Sequence, residues 1–123
     1  ALVVGISAGP PQEVVVQRVT GIVRDLGQVV RTEWEVHPED VVVYDDYVGE
    51  GYGIPTPETI EAIKVTARTE GILLDPVYSG KAMAGLIGLV RRGVFTRDQT
   101  VLFWHTGGQP ALFAHARTLA APD

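Results

Sequence analysis

An open, mainly parallel α/β sheet with flanking helices is the fold class that this 123-residue sequence predicts. Two observations carry it. Four segments, Leu2–Ile6, Asp40–Tyr44, Gly71–Leu74 and Thr100–Trp104, are short and rich in Val, Ile, Leu or aromatic residues, without strict polar alternation. Strands covered on both faces read this way. Helical patterns lie between them, and a repeating β-α order folds as a parallel sheet with right-handed crossovers. The length suits one α/β unit over 1–123.

The first helix is predicted from Pro11 to Leu26, with Val15, Val19, Ile22, Val23 and Leu26 at helical spacing. The second has both signals: Thr56 to cap, Pro57 for the first helical position, Glu58 to complement the dipole, and Gly71 to stop it in the left-handed conformation. Its apolar positions are Ile60, Ile63, Val65 and Ala67. A third starts near Ser79 or Gly80, carries the stripe Ala82, Met83, Leu86, Ile87 and Val90, and ends at Gly93. A last helix begins near Gly108-Gln109-Pro110. Asp45 to Thr56, with glycines at 49, 51 and 53, follows a strand at the edge where open α/β sheets place ligands. The loops after Leu74 and after Trp104 fall at the same edge and carry Tyr78, Ser79, His105 and Thr106.

Composition removes several function classes. The net charge of −5 argues against nucleic acid or anionic lipid as the main partner. The absence of cysteine excludes disulfides, thiolate nucleophiles and thiolate metal sites. No apolar run approaches the roughly 20 residues of a membrane helix. The opening Ala1-Leu2-Val3-Val4 lacks the basic flank and length of a signal peptide. A cytoplasmic location is the default expectation.

Most short motifs fail on context. Gly5-Ile6-Ser7-Ala8-Gly9 matches the nucleophile elbow of hydrolases, with Asp45 or Asp46 and His105 in the right chain order, but Pro10-Pro11 delays helix entry. Ser7 is weak evidence for a hydrolase. A P-loop is rejected because Asp75 stands where its first glycine belongs. His37, His105 and His115 are scattered, without a metal-ligand spacing. His37 reads as a solvated loop residue and His115 as a helix-surface residue. Lys81 reads as a surface or pocket-rim charge. Thr106-Gly107-Gly108 offers amides to an anion, or simply makes a tight turn. Composition alone favours a core role for Tyr52 and Tyr78, as for Tyr44 and Tyr47.

Longer patterns change the reading of several of these residues. The stretch Gly51-Tyr52-Gly53-Ile54-Pro55, then Asp75-Pro76-Val77-Tyr78-Ser79-Gly80-Lys81-Ala82-Met83-Ala84-Gly85, then His105-Thr106-Gly107-Gly108-Gln109-Pro110-Ala111-Leu112-Phe113, resembles the D-cysteine desulfhydrase and aminocyclopropane-carboxylate deaminase family. The resemblance extends over nearly the whole chain. It implies a tryptophan-synthase-β-like fold with pyridoxal 5'-phosphate as cofactor, and a small amino acid as substrate of a complete enzyme that is a homodimer. It further implies that this chain is the carboxy-terminal part, with the Schiff-base lysine and the glycine-rich phosphate loop in an amino-terminal part outside it. Neither Lys64 nor Lys81 matches that lysine, so this chain alone is expected to be inactive. Tyr78 and Tyr52 match the two active-site tyrosines, Tyr78 near the reacting end of the substrate and Tyr52 across from it. Ser79 and Thr106 match positions near the pyridine nitrogen, with Gly107 beside them as a cofactor contact. The cyclopropane deaminases carry Glu and Leu at the first two, and the D-cysteine desulfhydrases carry hydroxyls, as here. Cleavage of D-cysteine to pyruvate, hydrogen sulfide and ammonia is therefore the expected reaction. A cyclopropane deaminase or a cysteate sulfo-lyase of the same family, a serine hydrolase using Ser7, and a non-catalytic binding or assembly module are the alternatives.

Overall fold

The computed structural model describes residues 2–120. Val4–Ile6 forms β1 and Val42–Tyr44 forms β2, paired in parallel with Val4 opposite Val42, Gly5 opposite Val43 and Ile6 opposite Tyr44. Between them runs α1, Gln12–Val30, followed by a single 3₁₀ turn at Pro38–Asp40. This is the predicted β-α-β unit, with α1 longer than its apolar spacing indicated. Asp45, just past β2, anchors its start: Oδ2 accepts a hydrogen bond from the Gln12 amide at 2.8 Å, a charged acceptor at the positive end of the helix dipole. Gly27 is buried at its other end, where a β-carbon would stand 2.8 Å from the Thr32 carbonyl oxygen.

The next helix, α2, spans Pro57–Glu70 and has the predicted ends. Thr56 Oγ1 accepts from the Thr59 amide at 3.2 Å, and Gly71 closes the helix at φ 68°. It buries Thr59, Ala62, Ile63 and Thr66, one face at the spacing i, i+3, i+4, i+7. Then α3, Ser79–Arg91, packs along α2 and across β1. Its buried residues are small except for Lys81 and Leu89: Ser79, Gly80, Ala84 and Gly85. Two short helices, α4 (Ala111–Ala114) and α5 (Ala116–Leu119), complete the described chain.

Two expectations are corrected. Gly71–Leu74 and Thr100–Trp104 form no ladder, so the sheet of the described residues has two strands and not the three or more expected. Their apolar character is a demand for cover that this chain meets only in part. Leu74 is fully buried, whereas Leu102 and Trp104 are more than four-fifths exposed. The helices also turn differently from their large apolar stripes. Val65 and Val90 face outward, while Ile63 and Leu89 are buried beside small residues such as Ala62, Ala84 and Gly85, and the small residues let α3 approach closely. A β-carbon on Gly85 would lie 2.5 Å from Cδ1 of Ile6.

The tightest such contact against backbone is at Gly80. Its amide donates to the Asp75 carbonyl at 2.7 Å, and a β-carbon there would stand 2.5 Å from that same oxygen and 3.0 Å from Ile63. Gly80→Ala is expected to destabilise the fold by about 2–3 kcal/mol, overpacking outweighing the gain in helix propensity. Thermal denaturation followed by circular dichroism checks it, and an unchanged midpoint would refute it.

Candidate active site

Because β1 and β2 are parallel, the chain leaves both at one edge, and that edge gathers the predicted residues. The turn after β1 carries Ala8 and Gly9, and the loop after β2 carries Tyr52. Gly9 lets Tyr52 in: a β-carbon on it would lie 3.2 Å from Cβ of Tyr52. Across from Tyr52 stands Tyr78, immediately before α3, with ring centroids 5.8 Å apart and planes at 64°. The two hydroxyls are hydrogen-bonded to each other. Neither ring is in the core, Tyr52 being 62% and Tyr78 53% exposed. Their packing is therefore not what composition alone favoured. Tyr44 and Tyr47 are half-buried instead, under the Arg92 guanidinium at 5.8 and 5.9 Å from their ring centres.

Tyr52 holds its proton more firmly than a free tyrosine, first because of its hydrogen bond with Tyr78 and then through partial desolvation and the charges of Tyr78 and Asp75. Tyr52 therefore holds its proton at neutral pH, and one hydroxyl hydrogen is spent between the rings. Tyr78→Phe is expected to bring the titration of Tyr52 back toward 10.0. Carbon-13 NMR of ring-labelled tyrosine through a pH series reads this directly, and an unmoved Tyr52 midpoint would contradict the pairing.

Below Tyr78 lies a buried carboxylate that sequence reading did not single out. Asp75 is 1% exposed. Its Oδ1 accepts from the amides of Val77 and Tyr78, both at 2.7 Å, and its Oδ2 accepts from the Ser79 amide at 2.8 Å and from Ser79 Oγ at 2.6 Å. Burial opposes its charge, but the hydrogen bond from the Ser79 hydroxyl and those from the three amides prevail, and its pKa is lowered. Asp75 thus serves the free amides at the start of α3 while orienting Tyr78. The third loop docks on the same group: Gly108 lies so close that a β-carbon would be 2.6 Å from Oδ2. His105 secures this loop, its Nε2 bonded to the Leu73 carbonyl at 3.1 Å and its Nδ1 accepting from the Gly107 amide at 2.9 Å. Those partners set the tautomer with the proton on Nε2.

The structure thus brings the loops of Tyr52, Tyr78, Thr106 and Gly107 together with Ser79, the first residue of α3, around Asp75, but they are not equally available. Ser79 is buried, gives its hydroxyl proton to Asp75 and accepts from the Asp75 amide at 2.8 Å. The Gly107 amide is taken by His105. Thr106 is exposed at the turn. Toward an aromatic, phosphorylated cofactor these residues make one wall: two phenol hydroxyls, an exposed threonine, and a turn whose glycines both hold φ at 99°. Residues 64 and 81 are the lysines of the chain, and neither stands open beside the tyrosines. Lys64 lies within α2.

Lys81 is not the rim charge expected. It is 0% exposed, and its ammonium donates to three backbone carbonyls: Val48 at 2.7 Å, Gly51 at 2.9 Å and Ala8 at 3.5 Å. Burial lowers its pKa. The available signal was a lone lysine among the small residues of Ser79-Gly80-Lys81-Ala82, facing a glycine-rich loop whose carbonyls need donors. The hydrolase reading fails as well. Ser7 is buried, with its hydroxyl donating to the Pro10 carbonyl at 2.6 Å, and both nitrogens of His105 are occupied elsewhere. No histidine is placed to take the Ser7 proton.

The family model described as pyridoxal-phosphate dependent enzyme matches residues 2–107. A solved structure described as a crystal structure analysis of the ACC deaminase homologue superposes with a TM-score of 0.81 at 34% sequence identity, covering 94% of this chain and 34% of that one. This chain therefore spans about a third of that protein's length. With a parallel βαβ core, flanking helices and the tyrosine-bearing loops at one edge, the chain belongs to the pyridoxal-phosphate-dependent enzymes, in the fold type II group of the aminocyclopropane-carboxylate deaminases and D-cysteine desulfhydrases.

Proposed function

We propose that this chain is the carboxy-terminal part of a lyase that converts D-cysteine to pyruvate, hydrogen sulfide and ammonia. The observation that carries the reading is the pair of neutral hydroxyls, Ser79 and Thr106, at the positions that the family resemblance sets beside the pyridine nitrogen. When bound, the cofactor withdraws electrons from the substrate α-carbon. A carboxylate beside the ring would hold a proton on its nitrogen and strengthen that withdrawal, as opening a cyclopropane demands. Elimination of sulfide asks for less, because the departing sulfur carries away the bonding pair.

In this reaction the Cα–H and Cβ–S bonds of D-cysteine break, a lysine outside this chain takes the proton, and water hydrolyses the remaining enamine to pyruvate and ammonia. Tyr78 stands at the reacting end and offers a proton from its hydroxyl. Tyr52 supports it from across the gap and helps to position the substrate. Of the two hydroxyls, Thr106 is the one we assign to donate to the ring nitrogen, since the Ser79 proton is committed to Asp75. Ser79 contributes by keeping a second carboxylate away from that spot. The complete enzyme is proposed to be a cytoplasmic homodimer. In support of an assembly, Leu102, Trp104 and Phe113 are exposed apolar side chains.

A second reading, cyclopropane ring opening, draws support from the similarity to a solved ACC deaminase homologue. Ser79→Glu with Thr106→Leu separates the two. In the complete enzyme this double variant is expected to lose at least about tenfold in desulfhydration, a loss of about 1.4 kcal/mol of transition-state stabilisation. Steady-state kinetics on D-cysteine and on aminocyclopropane carboxylate, with cofactor occupancy followed by absorbance, provide the test. Undiminished sulfide release at full occupancy would refute the assignment, and a wild-type preference for the cyclopropane substrate would favour the second reading.

A further inference from the structure

We propose that Lys81 is the positioning residue that holds Tyr52 against Tyr78. The inference rests on the reading of these tyrosines as the working pair, and not on which substrate they meet. Three observations converge. Lys81 sits in the first turn of α3, which Tyr78 immediately precedes, so it moves with Tyr78. Its ammonium grips the Val48 and Gly51 carbonyls of the loop that carries Tyr52, and Gly51 is the residue directly before that tyrosine. It also reaches the Ala8 carbonyl, next to Gly9, the floor on which the Tyr52 ring rests. One buried cation therefore ties α3, the ring's own loop and the surface beneath the ring.

The physical need for such a tie is plain. Both rings are largely exposed, so packing alone does not set their separation. The loop turns through Gly49, Gly51 and Gly53, at φ 70°, 155° and 78°, and a glycine-rich loop loses much entropy on ordering. Its inward carbonyls require donors once buried. A lysine meets that need with three donors on one flexible stem. A neutral side chain of the same length leaves those carbonyls unpaired and the loop free to carry Tyr52 away from Tyr78.

The test uses the complete enzyme without cofactor, so its outcome is independent of the enzymatic reading. The probe is the titration of Tyr52, followed by NMR of ring-labelled tyrosine and assigned with Tyr52→Phe. In Lys81→Met the midpoint is expected to fall toward 10.0, to the same value as in Tyr78→Phe. This chain has no cysteine, so in a complete enzyme with any cysteines elsewhere replaced, Lys81→Cys can be aminoethylated at a single thiol in denaturant and refolded. That restores an ammonium at nearly the native reach and is expected to raise the midpoint again. A purely structural lysine would lower thermal stability yet leave the Tyr52 midpoint of the folded Lys81→Met chain high, and that result overturns the proposal. Should Lys81→Met not fold by circular dichroism, Lys81→Gln takes its place. Its shorter stem keeps donors but does not reach both loop carbonyls, and the same two outcomes decide.

Discussion

Asp75→Ala is expected to remove about 3–5 kcal/mol of folding stability, a large fraction of the roughly 5–15 kcal/mol typical of a whole domain. The carboxylate accepts four hydrogen bonds while 1% exposed, and all four donors come from the start of α3. Alanine leaves the amides of Val77, Tyr78 and Ser79 without their acceptor in a site that water does not readily fill. The loss exceeds that of an ordinary helix cap, about 1 kcal/mol, because three amides and a hydroxyl lose one acceptor together. Asp75→Asn is expected to cost about half as much, since its amide nitrogen turns a donor toward donors. Urea denaturation measures both, and a change below 1 kcal/mol for alanine would mean that the α3 start is held by other groups.

The sign of the pH dependence follows from the direction of the shift. The folded-state pKa of Asp75 is lowered from the ordinary 3.8, so the unfolded chain binds the proton more readily. Its contribution is fully present above that ordinary value and is lost as pH falls through the lower folded value. The stability gap between wild type and Asp75→Asn should accordingly be constant near neutrality and close in strong acid. A gap that instead widened toward low pH would show that the carboxyl is not held in its charged form.

The second large effect concerns the chemistry. Tyr78→Phe in the complete enzyme is expected to lower kcat by about 100- to 10,000-fold, the usual worth of a positioned proton donor or acceptor. The ring remains and only the hydroxyl goes, so folding should change little. Tyr52→Phe is expected to cost less in kcat and more in KM, because the role proposed for Tyr52 is to act on Tyr78 and on substrate placement rather than at the reacting bond. Steady-state kinetics at saturating cofactor distinguish the two. Equal losses in both variants would indicate that the pair works as one unit, and an undiminished kcat in Tyr78→Phe would remove it from the chemistry.

Both variants act through features with very different visibility in the sequence. The ends of α2 were legible because capping is local: Thr56, Pro57 and Gly71 act within one turn of where they stand. The β1-α1-β2 unit was legible from short β-branched runs around a long amphipathic segment. The remaining two apolar segments were read as strands, yet a ladder needs a neighbour at the right distance, and that is not encoded in a segment's own composition. Likewise the stripes on α1 and α3 announced faces to be covered without saying by what. Ile22, Leu26 and Val90 remain exposed, while Thr20, Gly27, Ala84 and Gly85 are buried.

The sequence by itself determined the class of fold, the bounds of α2, the loops that meet at one edge of a parallel pair, and, through long motifs, the tyrosines and hydroxyls found there. Tertiary structure alone decided which of those groups remain available. Ser79 and the Gly107 amide are spent on Asp75 and His105, whereas Tyr52 and Tyr78 keep their hydroxyls at the surface. It also decided that Lys81, a charge that sequence reading sends to water, lies under the loop of Tyr52. The reason is physical: a residue type states what its side chain can bond, but the partner is a carbonyl or carboxylate brought near by packing. For Lys81 those partners lie 30 and 73 positions away at Gly51 and Ala8.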